Sequence, residues 1–295
     1  ARFLVAAQRR VGPMLVVTGD SEHARRTAED LRFFTGTPDE VLYLPALDTT
    51  PFLDVAPDRR SAMDRLAVLF HLAKELPWRF LVAPAPALVR RVPPRATLAS
   101  RSLVVEKETE LDRDDLVDVL VAGGYSKAPI AEDPGTFAVR GGIVDVYPPH
   151  ARFPARIELD DWLVASIKLF DPDDQRTVET VDRMFVHPVR DTVLTSKERE
   201  RALAKIRELC DAANVPTKKT RALLDELESG RQFYGLDGFL PAFYDRLETV
   251  FDYLPESAPV ALLDPTDVAK AAYVELMRAN DDREAKVGDG GAALP

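Results

Sequence analysis

The stretch Gly135-Thr-Phe-Ala-Val-Arg-Gly-Gly-Ile-Val-Asp-Val-Tyr-Pro148 places two apolar runs of strand length on either side of Gly141-Gly142. Glycine reaches positive φ without strain, so the pair reads as a hairpin turn. Gly135 and Pro148-Pro149 bound the hairpin. Strand-like pieces follow at Ala155 to Leu159, Val164 to Phe170 and Thr180 to Val186, and a short helix, Leu111 to Ala122, precedes it. Together they predict a small α+β module with an antiparallel sheet over residues 102–187.

On the N-terminal side, strand and helix signals alternate. Met14 to Thr18 is an apolar run, and Asp20 or Ser21 is placed to cap a helix that continues to a Gly36 stop. Val41 to Leu44 reads as a second strand. Met63, Leu66, Leu69 and Leu72 give the next helix an apolar face, and Phe80 to Ala83 reads as a third strand. Strands separated by helices imply a parallel sheet covered on both faces, hence an α/β domain over residues 1–101.

Beyond residue 187 the pattern is helical: Ser196 to Ala213, then Lys218 to Glu228. An aromatic-rich segment follows, Phe233 to Tyr253, then a late strand, Val260 to Leu263, and a helix starting at Pro265. That strand is expected to rejoin the first sheet, with 188–295 as the second part of the α/β domain and the middle module as an insertion. The stretch from Asp281 onward is polar and Gly-rich and is expected to be mobile. Ala1 and the Gly-rich end at Gly288 to Pro295 read as cuts in something longer.

The 295 residues are 46% hydrophobic and 30% charged, ordinary for a globular protein of two or three domains. There is no run of 18 apolar residues to span a membrane and no signal-peptide pattern. The single cysteine, Cys210, makes no internal disulfide and is expected to be a buried small hydrophobe, which fits a reducing cytoplasm. The four histidines are scattered without ligand-like spacing, so neither a metal nor a cofactor is expected.

Net charge is −10, which argues against gripping nucleic acid by phosphate neutralisation alone. Residues 102–187 hold 9 basic against 18 acidic residues, nearly the whole excess. Inside that acidic module, however, residues 137–156 carry Arg140, Arg152 and Arg156 against Asp145 alone.

Catalytic signatures are missing. The loop Thr18 to His23 has no Gly-x-x-x-x-Gly-Lys-[Ser/Thr] pattern, lacks the lysine of a phosphate-binding loop and puts Asp20 and Glu22 at a helix N-terminus, where carboxylates suit the dipole and repel an anion. Paired acids such as Asp114-Asp115 and Asp173-Asp174 read as solvated turns. No enzyme is argued from these residues.

The segment Gly135 to Pro148 resembles one shared by UvrB and the bacterial transcription-repair coupling factors (Mfd), and the similarity continues through Pro154-Ala-Arg-Ile-Glu158, Ile167-Lys-Leu-Phe-Asp171 and Asp174-Gln-Arg-Thr177. Ala122-Gly-Gly-Tyr125 is similar to the helix end before the hairpin. Leu44-Pro-Ala-Leu-Asp-Thr-Thr-Pro-Phe52, Gly235 to Tyr244 and Phe251-Asp-Tyr-Leu-Pro255 are similar to coupling-factor segments rather than to UvrB. The resemblance implies a degenerate helicase-like (RecA-like) domain, without a working nucleotide site, that holds an inserted UvrA-binding domain. It implies recruitment of UvrA to stalled transcription complexes and masking by C-terminal parts of the same full-length chain. An ATP-driven DNA translocase and the parts that meet RNA polymerase and DNA would lie elsewhere in the whole protein.

By family position, Arg140 and Arg156 match arginines that contact UvrA, and Asp160 stands where the family commonly has an aromatic. Strand parity gives an independent reading. Ala155, Ile157 and Leu159 point one way, Arg156, Glu158 and Asp160 the other, and Arg140 shares the face of Arg156 if their strands lie close. Arginine's planar fork suits a carboxylate on a protein partner. The plainer alternative is that each arginine bridges to an acid of its own domain, Asp145 or Glu158. Arg152 and Trp162 are secondary candidates. Two other functions stay open: a nucleic-acid-binding accessory domain using Arg140, Arg152 and Arg156 on phosphates, and an autoinhibitory clamp.

Overall fold

The computed structural model describes residues 1–53, 55, 57–149, 151–190, 196–212, 214–228 and 236–288. In chain order the strands are β1 (Met14–Thr18), β2 (Val41–Tyr43), β3 (Phe80–Pro84), β4 (Leu103–Glu106), β5 (Ser126–Lys127) and β6 (Thr136–Arg140). They continue as β7 (Ile143–Tyr147), β8 (Ala155–Asp160), β9 (Leu163–Phe170), β10 (Thr177–Val181), β11 (Arg183–Val186) and β12 (Val260–Leu262). The chain divides into two compact units, residues 1–95 with 196–295, and residues 96–195.

The first unit holds a four-stranded sheet in the order β12-β1-β3-β2, with every pair parallel. The late strand therefore rejoins the first sheet, beside β1. All five residues of β1 and of β3 are buried, the signature of central parallel strands. Met14, Val16, Phe80 and Val82 on one face pack with Leu4, Val5, Ala24, Ala28 and Leu31 from two helices. The helix Ser21–Thr35 is capped by Asp20, whose carboxylate accepts from the His23 amide at 2.8 Å, and it stops at Gly36 with φ 70°. The acid-capped helix expected from Thr18 to His23 is thus the observed geometry.

The second unit is a six-stranded sheet ordered β10-β9-β8-β7-β6-β5, antiparallel apart from the short β5–β6 pair, with a separate β4–β11 ladder. Its helix begins at Arg113 rather than Leu111, because Asp112 turns its side chain onto the Asp114 and Asp115 amides at 2.7 and 3.1 Å. The β6–β7 hairpin closes through Arg140 paired with Ile143. Gly141 supplies φ 60°, and a Cβ on Gly142 would stand 2.8 Å from the Leu159 carbonyl oxygen, so the two glycines answer different demands.

Two expectations need correction. The single strand expected from Thr180 to Val186 is two strands broken at Asp182, β10 pairing with β9 and β11 with β4. The tail expected to be mobile from Asp281 is helical: one helix runs Pro265–Gly288, with Asn280 donating to Glu284 at 3.0 Å one turn on. Residues 289–295, with Phe233 and Gly235 of the aromatic-rich segment, lie outside the described residues.

Candidate functional site

Strands β6, β7 and β8 lie side by side, and their register sets Ala138 against Asp145 and Asp145 against Arg156. Phe137, Val144, Val146, Ala155, Ile157 and Ile167 fill the buried face. Asp145 sits on the opposite face yet is only 1% exposed, because arginines cover it. Arg156 donates from Nε to Oδ1 at 2.8 Å and from Nη2 to Oδ2 at 2.9 Å, the fork-on-carboxylate geometry that gives the strongest protein ion pairs. Arg140 adds a longer contact from Nη2 to Oδ2, 3.4 Å. Donating to the Asp145 carboxylate holds the Arg156 guanidinium still more firmly protonated.

Arg156 is braced further. Its guanidinium lies 4.6 Å from the centre of the Phe170 ring and donates to Gln175 Oε1 at 3.2 Å. Gln175 adopts φ 62° within a turn closed by Gln175 N to Asp171 O and Asp171 N to Arg176 O. On the same sheet face Lys168 donates to both oxygens of Glu158 at 2.7 Å, and Ser166 donates to it at 2.6 Å. Lys168 first, then Ser166, draws the Glu158 carboxyl below its ordinary value.

The structure therefore brings Arg140 and Arg156 together on one face, and it does so through Asp145, the acid of their own domain. The Arg156 side chain is 22% exposed and committed to that acid, whereas Arg140 is 52% exposed and held by the single long contact. The other candidates lie elsewhere in the unit. Asp160 ends β8 opposite Leu163, exposed. Arg152 is exposed in the loop before β8, its guanidinium 5.1 Å from the Phe153 ring. Trp162 is 64% exposed in the β8–β9 turn. Leu159, expected in the core, is half-buried near the end of β8, where Ala165 of β9 is left unpaired as a bulge and the register moves to Leu159 against Val164. Sequence reasoning missed Phe170 and Gln175. Phe170 lies two residues from Lys168, the partner of Arg156 in β9, and that register was the available signal.

Residues 103–191 match the family model described as the UvrB interaction domain. The chain is also similar to a transcription-repair-coupling factor of Myxococcus xanthus, 38% identical over 287 residues, which is 93% of this chain and 24% of the relative. The chain is homologous to the N-terminal region of the transcription-repair coupling factors. Those of Bacillus subtilis and Escherichia coli are 29% and 26% identical, over 85% and 90% of this chain. In each case the chain spans about a quarter or less of the relative's length. The arginine face of this chain lies wholly within the part matched by the interaction domain.

Proposed function

We propose that the unit at residues 102–187 is a protein-docking module that recruits UvrA in transcription-coupled nucleotide excision repair, without catalysis of its own. The match of residues 103–191 to the UvrB interaction domain carries this reading. The split helicase-like domain, residues 1–101 and 188–295, serves as its scaffold. In the whole protein, ATP-driven translocation and contacts to DNA and RNA polymerase belong to other parts, and C-terminal parts of the same chain mask the docking face until it is needed.

Within the face, Arg140 is the residue that meets an acidic group on UvrA, because its guanidinium is half exposed and its bond to Asp145 is long. Arg156 is a positioning residue: it neutralises buried Asp145 and so fixes where Arg140 sits. Asp160, Arg152 and Trp162 are rim candidates. A nucleic-acid role is disfavoured by the net −9 of residues 102–187.

The test is calorimetric titration of the chain into UvrA beside Arg140→Ala and Arg156→Lys variants with unchanged circular dichroism. Loss of a charged interface contact is expected to weaken binding by about 2–5 kcal/mol for Arg140→Ala. Wild-type affinity in the Arg140→Ala variant would remove Arg140 from the interface, and no binding by the wild type would overturn recruitment by this region.

A further inference from the structure

The turn between β8 and β9 carries a second feature, which the arginine face does not use. A cleft of about 370 Å³ opens there, lined by Asp112, Arg113, Asp114, Gly142, Leu159, Asp161 and Trp162. That volume is at the small end of the range for ligand-sized pockets, roughly 300–1,000 Å³, and suits one long side chain. Three of the lining groups are acids and one is a base. Arg113 is spent on its neighbour, with Nε and Nη2 at 3.0 and 2.8 Å from Asp114 Oδ1. Asp112 is turned onto helix amides. Asp161 makes no side-chain hydrogen bond or ion pair among the described residues.

Trp162 is exposed but its backbone is fixed. Its carbonyl accepts from the Leu111 amide at 2.7 Å, and Val164 and Thr109 close the same seam at 3.0 Å. A rigidly mounted indole loses little freedom when a partner covers it, which is why tryptophan is frequent among interface anchors. An indole face beside an unpaired carboxylate is the chemistry that takes a guanidinium, stacked on the ring and forked onto the oxygens. The surplus carboxylate excludes a phosphate or another acid from the same space.

We propose that this cleft receives an arginine side chain from the protein that docks on this unit, with Trp162 as the stacking surface and Asp161 as the counter-charge. The proposal deepens the docking function above in one respect, that the partner's footprint is bipolar. It offers an acidic group to Arg140 and an arginine to the cleft.

The protein has two tryptophans, Trp78 and Trp162, so a Trp78→Phe chain reports on Trp162 alone. Titrating that chain with tetra-arginine is expected to quench or shift its emission saturably, and tetra-glutamate is expected to leave it unchanged. Asp161→Asn is expected to raise the midpoint about tenfold, the size of one charge-assisted hydrogen bond. Asp118→Asn, on the neighbouring helix, controls for general attraction to an acidic protein and should match the parent. No saturable response to tetra-arginine, or equal midpoints for Asp161→Asn and the parent, overturns the cleft assignment. Repeating the titration with UvrA separates the two readings. A response to tetra-arginine but none to UvrA, although calorimetry detects UvrA binding, would keep the arginine cleft and reject UvrA as its occupant.

Discussion

Arg156→Met should destabilise the second unit far more than an ordinary surface substitution. The variant removes both close hydrogen bonds to Asp145 and leaves a carboxylate that is 1% exposed with only the 3.4 Å contact from Arg140. Breaking a buried ion pair from one side costs about 3–5 kcal/mol, because the surviving charge stays desolvated. Loss of the cation lying over the Phe170 ring adds about 0.5–1 kcal/mol. Two effects oppose this: Arg140 is free to close on Oδ2, and methionine keeps the apolar stem against Phe170. The expected net loss is about 3 kcal/mol. In the Trp78→Phe background, Trp162 emission follows unfolding of the second unit, and the loss should lower its urea midpoint by about 1–2 M. The double variant Asp145→Ala with Arg156→Met removes both charges and should recover much of the deficit, leaving a coupling of about 2 kcal/mol or more. A single variant costing less than about 1 kcal/mol, or costs that simply add in the double, would refute the view that Arg156 serves Asp145 first and a partner second.

Three further outcomes follow from the same unit. Glu158 has its carboxyl drawn down by Lys168 and Ser166, so its pairing contributes stability above the unfolded carboxylate range and loses it as pH falls through the folded value. Lys168→Met should therefore lower the urea midpoint at about pH 6 to 7 but much less near pH 3, and an equal loss at both would refute the assignment. Gly142→Ala should cost about 1–3 kcal/mol, since its Cβ meets the Leu159 carbonyl at 2.8 Å, whereas Gly141→Ala meets nothing and pays only the φ 60° strain of about 1 kcal/mol. Thermal melts that rank the two in reverse order would place the hairpin's constraint elsewhere. Asp112→Ala, which uncaps the helix Arg113–Ala122, should cost about 1 kcal/mol and leave the sheet's circular dichroism unchanged.

The parts legible in the sequence were those fixed by local chemistry. Gly141-Gly142 announced the hairpin, Asp20 and Gly36 announced a helix with both ends, and the unbroken apolar runs at 14–18 and 80–84 announced buried parallel strands. Period-two parity put Arg140 and Arg156 on one face, and the β6–β7–β8 register does so. What parity could not supply was the bulge opposite Glu158/Leu159, where β9 carries one extra residue, Ala165, and its own alternation changes phase so that Val164 and Ile167 are both buried. The split at Asp182 was hidden for a related reason: two strands with different partners lie end to end without a turn signal between them. The helix starting at Pro265 was expected, but its run to Gly288 was not: none of its described side chains is fully buried, so no apolar stripe marks how far it extends. Gln175 is a long-range partner that owes its place to a positive-φ turn, and no short window of sequence contains that information.

The pairing of β1 with β12 also governs how the chain is born. β1 is complete once residue 18 has been made, yet the neighbour on its outer side, Leu15 against Val260, is encoded some two hundred and forty positions later. On a ribosome adding about 5–20 residues per second, that edge of β1 waits on the order of ten seconds or more with its backbone groups unsatisfied. The strands of the second unit and its helix Arg113–Ala122 are all local to residues 103–186 and finish well before then. Synthesis thus orders the assembly: the inserted unit matures first, and the split unit stays open to mispairing with other nascent chains until its last strand arrives.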